Sequence, residues 1–238
     1  MIVSCEHGGK RIPARLAPLF AGQERVLASH RGFDAGAASL ARHLARRLGA
    51  PLHVHLLSRL LVDANRSLGH PRLFSERTRT LPEEERARIL ARCWQPHRDA
   101  VEGEVRVALR RGARVLHLSV HSFSPRLAGR SRGCDVGLLY DPSRPREREL
   151  CARWRAILLE LAPGLRVRRN HPYRGDADGF TTHLRGRFAD PAYAGIELEV
   201  NQGRLRSSGA RELELTLAAS LRLLLDDLLL PLSHDLAQ

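Results

Sequence analysis

VLHLSVHSFSP, residues 115–125, decides how this chain is read. Side chains of a strand alternate between its two faces, so Leu116, Leu118 and Val120 share one face while His117, Ser119 and His121 share the other. A strand is expected over residues 115–120, with His121 closing the polar set at its C-terminal end and a proline-ended turn following. Open α/β sheets place their ligand sites at such strand ends. Taken alone, the stretch fits a hydrogen-bonded surface histidine equally well.

Outward from this stretch, apolar patterns of period two and of helical period take turns, which is the signature of a layered α/β fold. Further strands are expected at residues 2–4, 52–57, 60–62, 136–140, 165–168 and 196–200. A helix over residues 34–48 carries Leu40, Leu44 and Leu48 on one stripe, with Gly49 as its stop. Pro82 followed by three glutamates opens another helix, which Pro96 must kink or divide before Gly112. Helices over residues 145–161 and from about residue 210 complete the pattern. Residues 170–194 lack clear periodicity, and long loops of this kind often carry binding groups.

With 238 residues and 43% hydrophobic content, the chain can bury one substantial core, so residues 1–238 are expected to form a single domain. No window approaches the roughly 18 uninterrupted apolar residues of a membrane span, and the opening MIVSCEHGGKR turns polar at once. A soluble, cytoplasmic protein with no membrane partner is expected. Cys5, Cys93, Cys134 and Cys151 are scattered without a Cys-x-x-Cys pair, which fits free thiols rather than a disulfide framework or a thiolate zinc finger. The net charge of +13 raises nucleic acid as a partner. Against it, the arginines are spread through nearly every segment, Lys10 is the only lysine, and 5% aromatic residues offer little for base stacking. No nucleic-acid partner is expected.

GIELEVNQ, residues 195–202, repeats the construction of the opening stretch: Ile196, Leu198 and Val200 share one face, Glu197, Glu199 and Asn201 the other. Carboxylates on a strand in apolar surroundings need partners, either a metal or an arginine, unless that face is solvated. In SCEHGGKRIP, His7 follows the first strand directly and stands beside two glycines that let the backbone approach a ligand. Asp34, in SHRGFDAGA, stands at a helix start, where capping alone would account for it. SRLLVDANRS gathers Arg59, Asp63, Asn65 and Arg66, and arginine with asparagine suits a carboxylate. Together, His7, Asp34, His121 and Glu199 supply the hard nitrogen and oxygen donors suited to zinc, and three protein ligands with an open position make a catalytic site.

In seven ordered segments the chain resembles the N-formylglutamate amidohydrolase family: SCEHGGKRIP, HRGFDAGA, SRLLVDANRSLGHPRLFSE, LHLSVHSF, DVGLLYDP, DGFTTHLRGRF and GIELEVNQ. That family is similar in fold to the zinc carboxypeptidases, which implies a mixed, mostly parallel central sheet with helices on both faces and one zinc ion at the strand ends. By the resemblance, Asn65 and Arg66 match the pair that grips a substrate carboxylate, His121 the strand-end metal histidine, and Glu199 the general base. The carboxypeptidase His-x-x-Glu motif is absent: His7 matches its histidine, but position 10 is lysine. The acidic ligand must come from elsewhere, with Asp34 preferred and Asp63 the alternative.

The implied reaction is hydrolysis of N-formyl-L-glutamate to formate and L-glutamate; for it Arg59 is a candidate to stabilise the developing oxyanion, and Arg174 or Arg185 in the long loop region a candidate to meet the second carboxylate. Other N-acyl amino acids or small peptides would suit the same site. Two further readings are an anion-binding protein without catalysis and a metal-free enzyme with Cys5 as nucleophile near His7.

Overall fold

The alternation at residues 115–125 becomes the spine of a six-stranded sheet in the computed structural model, which describes residues 1–229. The first half of the chain forms β1 (Ile2–Cys5), a 3-10 segment (Ala14–Phe20), α1 (Glu24–Leu27), α2 (Ala37–Leu48), β2 (Leu52–Val54), α3 (Glu83–Ile89), a π-helical stretch (Leu90–Trp94) and α4 (Gln95–Arg110). Then come β3 (Val115–Phe123), a small hairpin of β4 (Arg126–Leu127) and β5 (Arg130–Ser131), β6 (Val136–Leu139), α5 (Pro145–Leu161) and β7 (Val167–Arg169). The last elements are α6 (Phe180–Arg185), β8 (Tyr193–Asn201), α7 (Gln202–Leu205) and α8 (Ala210–Leu229).

Sheet order is β2-β1-β3-β8-β6-β7. The first four strands run parallel, β6 lies antiparallel to β8, and β7 follows β6 in parallel. This is the mixed, mostly parallel sheet expected. One face packs Val3, Leu118, Val120, Ile196 and Leu198 against apolar residues of α2, α5 and α8, including Leu44, Trp154 and Leu217. The other face is covered by α4 and α6 through Val101, Val105, Phe180 and Leu184.

That second face is polar and nevertheless buried. All nine residues of β3 and all nine of β8 are buried, including His117, Ser119, His121, Glu197 and Glu199. His117, Ser119, His121 and Glu197 are tolerated there because each finds a hydrogen-bond partner. His117 Nε2 lies 2.7 Å from Ser4 Oγ and its Nδ1 2.8 Å from Tyr193 Oη, a ladder across β1, β3 and β8.

Burial pushes His117 down from 6.5 to about 4. The unfolded chain therefore binds this proton more tightly than the folded one, so stability is complete above pH ~6.5 and falls as pH drops toward ~4. The loss reaches about 3 kcal/mol for this group. The urea midpoint should fall across that interval, and His117→Gln should flatten the dependence by about one proton; an unchanged slope would contradict the assignment.

Several boundaries differ from expectation. β3 continues through Phe123, so His121 lies inside the strand rather than beyond it. Residues 60–62 form no strand: a turn is closed by Leu61 N–H donating to Ser58 O at 2.9 Å, and the buried Leu61 and Val62, with the partly buried Leu60, belong to a satellite core beside the sheet. β2 stops at Val54, leaving Leu57 a lone bridge to Arg11. The helix that Pro96 was expected to disturb does pass through the π-helical stretch just before it, as proline's missing N–H and its clash with the preceding turn require. Residues 170–194 are not one loop, since they contain α6 and the start of β8.

Candidate active site

β1 ends by delivering Glu6 and His7 to the polar side of the sheet, both buried. The chain can turn there because the His-Gly-Gly loop packs directly on residues 54–57. A side chain at Gly9 would put its Cβ 2.2 Å from Leu56 O. Asp34 N–H donates to His7 O at 2.9 Å and fastens the next loop onto this turn. Asp34 does not cap α2, which begins at Ala37 after Gly36. Its carboxylate faces the two histidines instead.

Asp34 Oδ2 lies 2.9 Å from His121 Nδ1 and 3.4 Å from His7 Nδ1. One donor atom from each of the three residues falls within 4.8 Å of the others, an arrangement that can hold a metal ion. The outer nitrogens are also engaged: His7 Nε2 with Asp63 Oδ1 at 2.6 Å, and His121 Nε2 with Ser119 Oγ at 2.9 Å and Glu6 Oε2 at 3.3 Å. Carboxylates behind histidine rings are how proteins fix the tautomer and aim of metal-binding imidazoles. With its Nε2 proton directed at Asp63, His7 presents a bare Nδ1, buried with no hydrogen-bond partner. An orphaned buried nitrogen aimed at a carboxylate and a second imidazole fits a zinc ion.

The electrostatics point the same way. Burial opposes ionisation of Asp34, but His7, His121 and Arg59 outweigh it and hold the carboxyl far below the usual range. Asp63 is held down likewise, Arg59 and His7 overcoming its burial. For His121 burial disfavours the cation, yet Asp34 and Glu6 raise it well above the ordinary value. The carboxylates of Asp34 and Glu6 thus favour positive charge at this point, whether carried by a proton or by a metal ion.

Glu199 reaches the cluster through the sheet. It is the register partner of His121 across the parallel β3–β8 pair, so the two side chains stand side by side on one face. On its other flank β6 contributes Gly137, where a Cβ would sit 2.1 Å from His171 O and 3.3 Å from Glu199 Cβ. Burial, with Asp34 and Glu197 adding to it, pushes Glu199 up to about 8 despite His121 and Arg59. Its Oε2 is buried without a partner.

A cleft of about 260 Å³ opens over these groups, lined among others by His7, Asp34, Arg59, Asn65, Arg66 and His121, with Glu199 and Arg174. Arg59 donates to both Asp34 Oδ1 (3.4 Å) and Asp63 Oδ2 (3.1 Å). Asn65 Oδ1 accepts from Phe180 N–H at 2.6 Å, which leaves its amide donors for the cleft. Arg66 donates through one terminal nitrogen to Asp178 O at 2.5 Å, while its Nε is buried and unpartnered.

Arg185 stands apart from the sequence expectation. It is buried away from the cleft, donating to Glu147 at 3.0 and 3.1 Å, Gly175 O at 2.5 Å and Gly195 O at 2.8 Å. An arginine with these partners ties β8 to α5 and has little left for a ligand. Arg174 lines the cleft but is mostly exposed and paired with Asp176 at 2.5 Å. Cys5 is fully buried and its thiol is pushed well up by that burial, so it is no nucleophile. Among the described residues no helix is long and apolar enough to cross a membrane, and all four cysteines are free and buried.

Sequence reading missed Glu6 behind His121, the place of Asp63 behind His7, and Arg72 and Arg132 on the cleft wall. For Glu6 a signal exists: with Ser4 it continues the alternation of β1 onto the face that carries the histidine.

Among solved structures, a gene product from Agrobacterium tumefaciens shares 26% identity, with 95% of this chain and 90% of that one covered at a TM-score of 0.79. An N-formylglutamate amidohydrolase from Ralstonia eutropha shares 22% identity over 94% and 93% of the two chains at a TM-score of 0.64, a likeness of fold. No protein of curated function matches the chain significantly in sequence. The family model for N-formylglutamate amidohydrolase matches residues 1–205, which takes in every cleft residue named above. The chain belongs to the N-formylglutamate amidohydrolase family and is a hydrolase of an amide bond.

Proposed function

We propose that this protein hydrolyses N-formyl-L-glutamate to formate and L-glutamate, with His7, Asp34 and His121 holding one zinc ion. The observation that carries this is the three-donor cluster, with its bare His7 Nδ1, beside the unpartnered Oε2 of Glu199. Zinc bound there supplies Lewis acidity, bringing the pKa of a water toward neutrality and polarising the amide carbonyl.

The protein's own groups do the rest. Glu199 takes the proton of the attacking water and returns it to the leaving nitrogen. Burial pushes its carboxyl up to about 8, and a cation held by His7, Asp34 and His121 would favour the carboxylate that this role needs. Asp63 and Glu6 keep the two imidazoles aimed inward. Arg59 spends three N–H groups on Asp34 and Asp63; the others have no partner among the described residues and can meet negative charge on the carbonyl oxygen.

Asn65 and Arg66 receive the α-carboxylate. The buried, unpartnered Nε of Arg66 and the unspent amide donors of Asn65 suit a planar oxyanion. Drug-sized ligands occupy pockets of roughly 300–1,000 Å³, so a cleft of about 260 Å³ favours an acylated single amino acid over a long peptide. Residues 1–238 act in this proposal as one catalytic domain, and four buried, unpaired thiols support a reducing, cytoplasmic setting.

Formate release from N-formyl-L-glutamate should be lost when the purified protein is stripped with a chelator and return when zinc is restored, at about one ion per chain. Turnover that survives complete removal of metal, or no formate from any N-formyl amino acid at full zinc loading, would overturn the proposal.

A further inference from the structure

The arginines on the cleft wall are not equivalent, and their partners separate them. Arg59 is committed to Asp34 and Asp63, Arg66 lies near Asp178, and Arg174 is paired with Asp176. Arg72 and Arg132 line the same cleft with no carboxylate partner among the described residues. Two cations on the cleft wall that form no ion pair with its carboxylates Asp34, Asp178, Glu197 and Glu199 favour a ligand that brings its own negative charge.

Arg132 is built to receive it, whereas Arg72 is exposed. Its guanidinium carbon lies 4.5 Å from the Tyr173 ring centre and 5.4 Å from that of Phe123, and its NH1 donates to Tyr173 Oη at 2.8 Å. Both ends of its backbone are tied as well, N–H to Pro125 O at 3.0 Å and C=O accepting from His171 Nε2 at 2.8 Å. The backbone bonds fix where the side chain starts, and the stacking with the Tyr173 bond reduces its rotamer freedom before any ligand arrives, so less is lost on binding. Phe123 is also the last residue of β3, two beyond His121, which places this guanidinium beside the strand end that carries the cluster.

We propose that Arg132, bracketed by Phe123 and Tyr173, binds the side-chain carboxylate of an acidic N-acyl amino acid and so selects dicarboxylic substrates. This rests on the amidohydrolase function proposed above, in which Asn65 and Arg66 take the α-carboxylate and the cluster the acyl group. It moves the second contact from Arg174 and Arg185 to a residue whose positive charge is unspent.

The test compares N-formyl-L-glutamate with its neutral isostere N-formyl-L-glutamine, in the zinc-loaded wild type and in Arg132→Gln. A charged hydrogen bond of this kind is worth about 10- to 100-fold in kcat/KM. The wild type should prefer the glutamate by that factor. Arg132→Gln should lose the preference through a raised KM for the glutamate, with kcat and the glutamine constants unchanged. A loss that is equal for both substrates would mark a merely structural residue and overturn the proposal, as would a preference kept in the variant. Calorimetric binding of glutarate against butyrate gives a second readout that needs no turnover. If no formate is released but the glutarate preference is present and vanishes in Arg132→Gln, the amidohydrolase function fails and the carboxylate site stands. If formate is released and neither preference responds to the substitution, the carboxylate site fails alone.

Discussion

In Glu199→Gln, kcat for formate release falls by about 10³-fold while zinc content and KM hold near wild type. The magnitude is the usual worth of a positioned general base, about 10²- to 10⁴-fold. Glutamine preserves volume and hydrogen-bonding capacity in a side chain only 6% exposed, so the fold has no reason to rearrange. It also removes a carboxyl that burial pushes up to about 8, which makes the unliganded variant at least as stable as the parent. Steady-state kinetics with metal analysis on the same preparation checks this. A variant with more than a tenth of wild-type kcat would assign the proton transfer to another group.

Replacing His121 with alanine has a larger effect, because it strikes metal and fold together. Bound zinc should drop to a trace and formate release to background. Stability falls as well: His121 sits between Asp34 at 2.9 Å and Glu6 at 3.3 Å, and removing one member of a buried charged network leaves the others unmatched, at a cost of about 3–5 kcal/mol. His121→Gln separates the two effects, since an amide can still donate to one of these carboxylates while ligating zinc poorly. Elemental analysis and thermal melts of both variants, with and without added zinc, are the measurement. Near-stoichiometric zinc in a folded His121→Ala protein would remove this residue from the metal site.

How much of this was legible in the sequence depends on the distance over which each residue finds its partner. The period-two runs of β3 and β8 announced their polar faces, and parallel pairing then had only to set His121 beside Glu199. A short apolar run carries less information, which is why residues 60–62 read as a strand and form none. Asp34 illustrates the opposite limit: its local context suggests a cap, and only a loop docked on His7 turns its carboxylate inward. Glu6 gains its meaning from Ser119, 113 positions away. In a chain with one lysine and otherwise arginine for its basic residues, an arginine's role is set by whichever acid folds against it. Glu147 withdraws Arg185 from the cleft, and the want of such an acid among the described residues leaves Arg132 facing it.

The placement of the cluster along the chain has a consequence for synthesis. His7, Asp34 and His121 all lie in the first 121 residues, whereas Glu199 arrives on β8, near the end of the described chain. Synthesis runs from the N-terminus at about 5–20 residues per second. If His7, Asp34 and His121 hold the ion as proposed, a growing chain carries every donor for it well before Glu199, and only the late insertion of β8 between β3 and β6 completes the site.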